Sequence, residues 1–181
     1  MAARHPDRVA GIVLLATLGY PVHGAYRQLA LPGAATLMRG VGWLLQWPAL
    51  RPLLGWLFQG AFKDAYSPEP LPRTRFIRDV EHFSTRPEVL VSMVHVARGN
   101  PCDQLFALAP RIRCPVLVLH GQDDRLVPVA AAESVHEHIT GSGGASELEI
   151  FEGAGHMLID FQAAEVVAKV SQFLDRTVPA I

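Results

Sequence analysis

Two apolar runs of strand length, Val9–Ala16 and Pro115–Gly121, constrain the fold more than any other feature of this sequence. Both are rich in valine and leucine and lack alternating polar residues, which is typical of strands covered on both faces. A third strand is predicted at Glu147–Phe151, and the helical periodicity of Pro128–Ile139 precedes it. Because strands alternate with helices, the sequence predicts an α/β fold with a parallel sheet of about three strands and flanking helices.

The long section between the first two strands contains no convincing strand and has helical periodicity instead. Helices are predicted there at Ala34–Leu45, Ala49–Phe58, Arg73–Phe83 and Glu88–Arg98. A final helix is predicted from Asp160 to Arg176, with Asp160 as its N-cap.

The most apolar stretch, Gly40–Phe62, has nearly the length of a membrane span. Pro48, Arg51 and Pro52 lie at its centre, and an arginine at the centre of a bilayer costs about 2.5–3.5 kcal/mol. The stretch is therefore predicted to form two short helices broken at the prolines, without stable insertion into a membrane.

Composition excludes several classes of function. The chain has 181 residues, enough for one domain with a hydrophobic core, and a formal net charge of −1 that indicates no nucleic-acid partner. Its two cysteines, Cys102 and Cys114, have no zinc-site spacing, and so low a count suits a reducing compartment such as the cytoplasm. There is no secretory signal pattern. We expect no metal ion and no cofactor.

The residues with the clearest chemical meaning follow the second and third strands. In the stretch "LVLHGQDDRLVP" Asp124 comes just after a buried strand, and in "FEGAGHMLID" His156 lies in a glycine-rich loop. Because functional groups collect at the carboxyl edge of a parallel sheet, these two side chains are expected to meet. A carboxylate that fixes the tautomer of an imidazole prepares it to act as a general base. The competing interpretations are a carboxylate at a helix N-terminus and an ordinary loop histidine.

These segments resemble the α/β-hydrolase superfamily of esterases, lipases, peptidases and related hydrolases. "AARHPDRVAGIVLLAT" is similar to the end of the helix after the nucleophile and the strand that follows it. "CPVLVLHGQDDRLVP" matches the acid-loop pattern G-x-x-D-x-x-V-P, and "FEGAGHML" resembles the histidine loop. The resemblance implies that Asp124 is the triad acid and His156 the triad base. It also implies that residues 1–20 and 111–181 form part of a hydrolase core and that residues 21–110 form a helical cap.

The nucleophile of that family is absent from these 181 residues. No serine or cysteine lies in a G-x-S-x-G elbow, and there is no oxyanion segment of the HGG type. The resemblance implies that the nucleophile precedes the first residue of this sequence. We therefore expect an internal start, a truncated gene or a split protein. Val9–Ala16 would then be an unprotected edge strand, through which the chain is expected to aggregate or to pair with a partner.

The tryptophans Trp43, Trp47 and Trp56 all fall within Gly40–Phe62. They could line an apolar substrate pocket, or they could simply pack between the helices. The arginines Arg73, Arg75 and Arg78 could likewise bind a carboxylate or form a solvated helix face.

The leading interpretation is hydrolysis of a small or medium apolar ester or related carbonyl substrate by a nucleophile–His–Asp mechanism, with this chain inactive alone. The alternatives are a non-catalytic binding module and a fragment without a role of its own. The bond that is cleaved and the identity of the nucleophile stay open.

Overall fold

A computed structural model describes residues 1–20, 24–86, 88–99 and 101–177. Its sheet has three parallel strands in the order β1 (Ile12–Leu15), β2 (Val116–Gly121) and β3 (Ser146–Phe151). In the register of the sheet, Val118 lies beside Leu14 on one side and beside Leu148 on the other. The predicted α/β class with a three-stranded parallel sheet is therefore confirmed.

The first strand is shorter than the predicted range Val9–Ala16. A 3₁₀ turn at Pro6–Arg8 comes before it, and the strand ends at Leu15 because the next residue, Ala16, has a φ of 45° in the left-handed region. Leu15 is 36% exposed, and within the described ranges β1 pairs only with β2. Its outer edge is thus unpaired in this part of the chain.

Helices fill the described section between β1 and β2, and further helices follow β2 and β3. In chain order they are α1 (Gly24–Leu29), α2 (Ala34–Leu45), α3 (Arg51–Tyr66), α4 (Arg73–Thr85), α5 (Glu88–Arg98), α6 (Pro101–Leu108), α7 (Val129–Gly141), α8 (Leu158–Phe161) and α9 (Ala163–Thr177). We call α1–α6 the helical insertion. Of the section predicted as a cap, residues 21–23, 87 and 100 lie outside the described residues.

The central strand β2 is buried along its whole length and packs on both faces. Val116 and Val118 contact the core on the side of α7, whereas Leu117 and Leu119 contact the core that includes Phe173 of α9. Successive strand residues point to opposite faces, so a continuous apolar run is the pattern required by helices on both sides.

Two sequence expectations about helix boundaries need correction. The break in Gly40–Phe62 occurs as predicted near the prolines, but α3 continues to Tyr66 instead of ending at Phe58. Asp160 does not cap the last helix; it lies within the short helix α8, and Arg75 of α4 binds its carboxylate at 2.7 Å. The ion pair therefore takes the carboxylate away from the helix end. Among the described residues, no helix has both the length and the apolar character needed to cross a bilayer.

Candidate active site

The loops after β2 and β3 are joined by backbone hydrogen bonds. The amides of Gln122 and Asp123 donate to the carbonyls of Phe151 and Ala154 at 3.0 and 2.9 Å. The approach requires a glycine at the end of β2, because a Cβ on Gly121 would lie 2.4 Å from the carbonyl oxygen of Ala154. The first loop carries Asp124 and the second carries His156, so this close packing fixes the distance between the two side chains.

The Asp124 side chain is completely buried and makes contacts through both oxygens. Its Oδ1 accepts hydrogen bonds from the backbone amides of Leu126 and Val127 at 2.9 and 2.7 Å. Its Oδ2 lies 2.9 Å from Nδ1 of His156. The loop holds the carboxylate in one orientation, because rotation of the side chain would break the bonds to its own backbone.

The imidazole of His156 is positioned so that its Nδ1–H donates to Asp124. A carboxylate accepts hydrogen bonds only, so Nδ1 carries the proton and Nε2 of the neutral ring has a free lone pair. The side chain is 24% exposed, and Nε2 makes no hydrogen bond within the described part of the chain. This ring can accept a proton from a hydroxyl group that lies within hydrogen-bond distance of Nε2.

A second histidine contacts the same carboxylate, and the sequence analysis did not single it out. His120 is fully buried in β2; its Nε2–H donates to the carbonyl of Val127 at 2.9 Å and lies 3.3 Å from Oδ2 of Asp124. Its Nδ1 is buried and has no hydrogen-bond partner among the described residues, which favours the neutral Nε2–H tautomer. The signal in the sequence was a polar residue at the end of an otherwise apolar strand.

The contacts of Asp124 set its protonation state. Burial alone would raise the pKa of this carboxyl, but hydrogen bonds from His120, His156 and the Val127 amide outweigh burial and hold the pKa well below its usual range. The group is therefore ionised at neutral pH, as an acceptor for the His156 Nδ1–H must be.

We expect Asp124→Asn to lower the free energy of unfolding by about 3 kcal/mol at pH 7, because it replaces a buried, hydrogen-bonded charge. The pKa of Asp124 in the folded protein lies below its value of about 3.9 in the unfolded chain. The extra stability of the wild type over Asp124→Asn is therefore fully present above about pH 5 and is lost as the pH falls through the pKa of the folded protein. Urea unfolding at one protein concentration and several pH values measures this difference. Asp123→Asn, at the exposed neighbouring position, is the control; an equal loss in both variants would contradict the prediction.

The three tryptophans are not among the residues that line the cavity at Asp124. Trp43 and Trp47 contact each other edge to face, with ring centroids 6.4 Å apart. Trp56 lines a groove of about 720 Å³ between α3 and α4, together with Phe76 and Ile77. All three are largely exposed. They are therefore not packed in a core between helices, and their predicted contact with substrate stays a prediction.

The cysteines are free and buried. In the described ranges, no group of three or more histidine, cysteine, aspartate or glutamate side chains is arranged to hold a metal ion.

Comparison with known proteins gives the family. Residues 1–161 match the family model described as "Serine aminopeptidase, S33". A human serine hydrolase, BPHL, is 44% identical over 48 residues, which cover 26% of this chain and 16% of that protein.

Solved structures support the same fold. A thermophilic esterase superposes with a TM-score of 0.64 at 20% identity, covering 99% of this chain and 61% of the esterase. The esterase RhEst1 from Rhodococcus sp. ECU1013 superposes with a TM-score of 0.58 at 24% identity, covering 97% and 60%. The chain thus spans about three-fifths of the length of these enzymes. By its family match and its fold, this chain belongs to the serine aminopeptidase S33 family of α/β-hydrolases.

Proposed function

We propose that this chain supplies the acid and the base of a serine hydrolase that acts on small or medium apolar esters or related carbonyl compounds. The observation that carries the proposal is the 2.9 Å hydrogen bond from Nδ1 of His156 to the buried carboxylate of Asp124. Asp124 orients the ring, and Nε2 of His156 takes the proton of the attacking hydroxyl and later returns it to the leaving group. The serine and the oxyanion hole belong to residues outside these 181.

Cavities lead from the loop of Asp124 toward the helical insertion. A cavity of about 430 Å³ reaches Asp124 and shares Ser67 and Arg125 with a second cavity of about 500 Å³. The second cavity in turn shares Arg73 and Phe76 with the α3–α4 groove. A substrate that extends from this loop along the helical insertion would pass polar side chains first and would meet apolar walls in the α3–α4 groove, at Trp56, Phe76 and Ile77. In this proposal, residues 21–110 act as the cap.

A fluorophosphonate probe tests this function, because it labels an activated serine. We expect the purified 181-residue chain to remain unlabelled, and the natively expressed protein to be labelled on a serine outside these residues. In-frame coding sequence for G-x-S-x-G upstream of the Met1 codon would identify that serine. Absence of labelling from the native protein would overturn the proposal and favour a non-catalytic binding module.

The same proposal assigns a role to the unpaired edge of β1. An edge strand that carries no lysine or proline is free to accept another strand, and the segment that supplies the nucleophile would bind there. Without that segment, we expect copies of the chain to associate through the same edge.

Leu15→Lys is expected to reduce this self-association, because it places a charge on the exposed residue of the edge strand. Light scattering at several protein concentrations should show a lower average mass for this variant than for the wild type. Val167→Lys, on the exposed surface of α9, is the matched control and should leave the mass unchanged. A wild-type chain that is a monomer at every concentration and melts cooperatively would contradict the prediction.

A further inference from the structure

His120 carries the one polar side chain of β2. Its ring is fully buried and lies on the same face of the strand as Val116 and Val118, because alternate strand residues point the same way. Its Nδ1 is buried and has no hydrogen-bond partner among the described residues. An unpartnered polar atom in the interior costs free energy that an apolar side chain would avoid. Packing therefore does not account for a histidine at this position, and the contacts of its other nitrogen must.

The Nε2–H of His120 belongs to a closed ring of contacts with the loop that follows β2. It donates to the carbonyl of Val127 at 2.9 Å. The amide of the same valine donates to Oδ1 of Asp124 at 2.7 Å. The other oxygen of that carboxylate, Oδ2, lies 3.3 Å from Nε2 of His120 and completes the ring. The loop is thereby tied at two points to the central strand of the sheet, and Asp124 cannot turn without breaking one of these contacts.

The contact with His120 acts on the oxygen that holds the base. Oδ2 of Asp124 accepts the Nδ1–H of His156 at 2.9 Å, and the ring of His120 approaches the same oxygen from the strand. Among the described residues, these two imidazoles are the titratable groups that face the carboxylate; the flanking Asp123 and Arg125 are exposed. Burial would raise the pKa of Asp124, and the contact with His120 is the largest of the effects that lower it. His120 thus favours the charged form of the carboxyl and restrains its Oδ2.

We infer that His120 is a positioning residue of the active site: it holds Oδ2 of Asp124 in the orientation that accepts the Nδ1–H of His156. This inference rests on the proposed hydrolase function. Because His120 is 0% exposed, it does not touch the substrate and acts only through Asp124. A functional side chain needs such supporting contacts to stay in its productive geometry. Removal of the contact should slow proton transfer without changing substrate binding, which lowers kcat and leaves KM unchanged.

Steady-state kinetics of variants in the protein complete with its nucleophile test this role. His120→Leu fills a similar volume without a donor, and kcat should fall about tenfold, the effect of one hydrogen bond to a charged group, with KM unchanged within about twofold. His120→Gln can present an N–H near the position of Nε2 and should keep kcat within about threefold of the wild type. If the leucine variant does not fold, His120→Met takes its place, because the flexible methionine side chain adapts to irregular space.

Val118→Ala is the matched control for weakened packing. Val118 is fully buried on the same face of β2, so its truncation opens a cavity in the core beside α7. This variant should lower the free energy of unfolding and leave kcat unchanged.

Proton NMR of the same protein gives a readout that needs no turnover. The Nδ1–H of His156 is bound to a buried carboxylate, so it should exchange slowly with water and give a resolved signal downfield of the backbone amides. His156→Gln identifies the signal by its loss. The proton should exchange about tenfold faster in His120→Leu than in the wild type, and at nearly the wild-type rate in His120→Gln.

The two readouts separate this inference from the function on which it rests. If the wild-type protein hydrolyses no ester, the proposed function fails, and the exchange rate of the Nδ1–H alone decides the role of His120. In an active protein, the inference would be overturned if His120→Leu kept kcat within about twofold, or if His120→Gln were as slow as His120→Leu. An equal loss of kcat in Val118→Ala would overturn it too, because weakened packing would then explain the loss. So would an exchange rate that is the same in the wild type and in His120→Leu.

Discussion

Replacing His156 by glutamine should lower ester hydrolysis by about 10⁴-fold in the protein complete with its nucleophile, because the serine then has no base. The assay combines the 181-residue chain with the segment that supplies the serine, either joined to it or co-expressed with it. Asp124→Asn should lower the rate to a similar extent, since an asparagine side chain can hold the ring with its proton on Nε2 and so block the lone pair that takes up the serine proton.

Two comparisons make this result specific. His95→Gln removes another histidine, on the exposed surface of α5, and should leave the rate unchanged. The double variant at positions 124 and 156 should be little worse than either single variant, because the two residues act as a unit. The assigned roles would be contradicted if the fold loss of the double variant equalled the product of the two single losses. They would also be contradicted if the His156→Gln protein kept more than about a tenth of the wild-type rate of ester hydrolysis.

Gly155→Ala should destabilise the fold by about 4 kcal/mol or more, which is at the upper end for a single substitution. A Cβ on Gly155 would lie 1.6 Å from the carbonyl oxygen of Ser67, at the end of α3. The oxygen is a backbone atom and the position of a Cβ is fixed by the backbone, so no side-chain rotation can relieve the overlap. The histidine loop and the helical insertion must then move apart, and urea unfolding at a fixed protein concentration measures the cost.

The matched control for this variant is Gly60→Ala. Gly60 lies within α3, and a Cβ there meets no atom within 4 Å, so alanine should stabilise the helix by up to about 1 kcal/mol. If Gly155→Ala does not fold at all, the soluble yield of the two variants should still differ in the same direction. A Gly155→Ala protein that unfolds within about 1 kcal/mol of the wild type would show that the contact between Ser67 and Gly155 is not tight.

The sequence predicted the sheet well because β2 is buried on both faces. Such a strand must be apolar at every position, and the run that ends at Gly121 has that pattern. The contact between Asp124 and His156 was also predictable, since parallel strands bring their following loops to one edge. The structure shows that these side chains meet; their catalytic roles remain predictions.

Other features depend on contacts between distant parts of the chain, and local patterns do not show these. The ion pair of Arg75 with Asp160 joins residues 85 positions apart. The expected N-cap role of Asp160 was wrong for that reason. His120 was missed because its partners, Asp124 and the carbonyl of Val127, become apparent only when the loop closes over the end of β2.

The closed loop around Asp124 has one more consequence. A carboxylate offers about four lone-pair positions; here two backbone amides and the Nδ1–H of His156 donate to it, and Nε2 of His120 lies 3.3 Å from Oδ2. This side chain is completely buried, so it is not placed to attack a substrate, to coordinate an ion or to exchange hydrogen bonds with water. Its chemistry is restricted to holding His156, so any aspartate that served as a nucleophile in this protein would have to be a different residue.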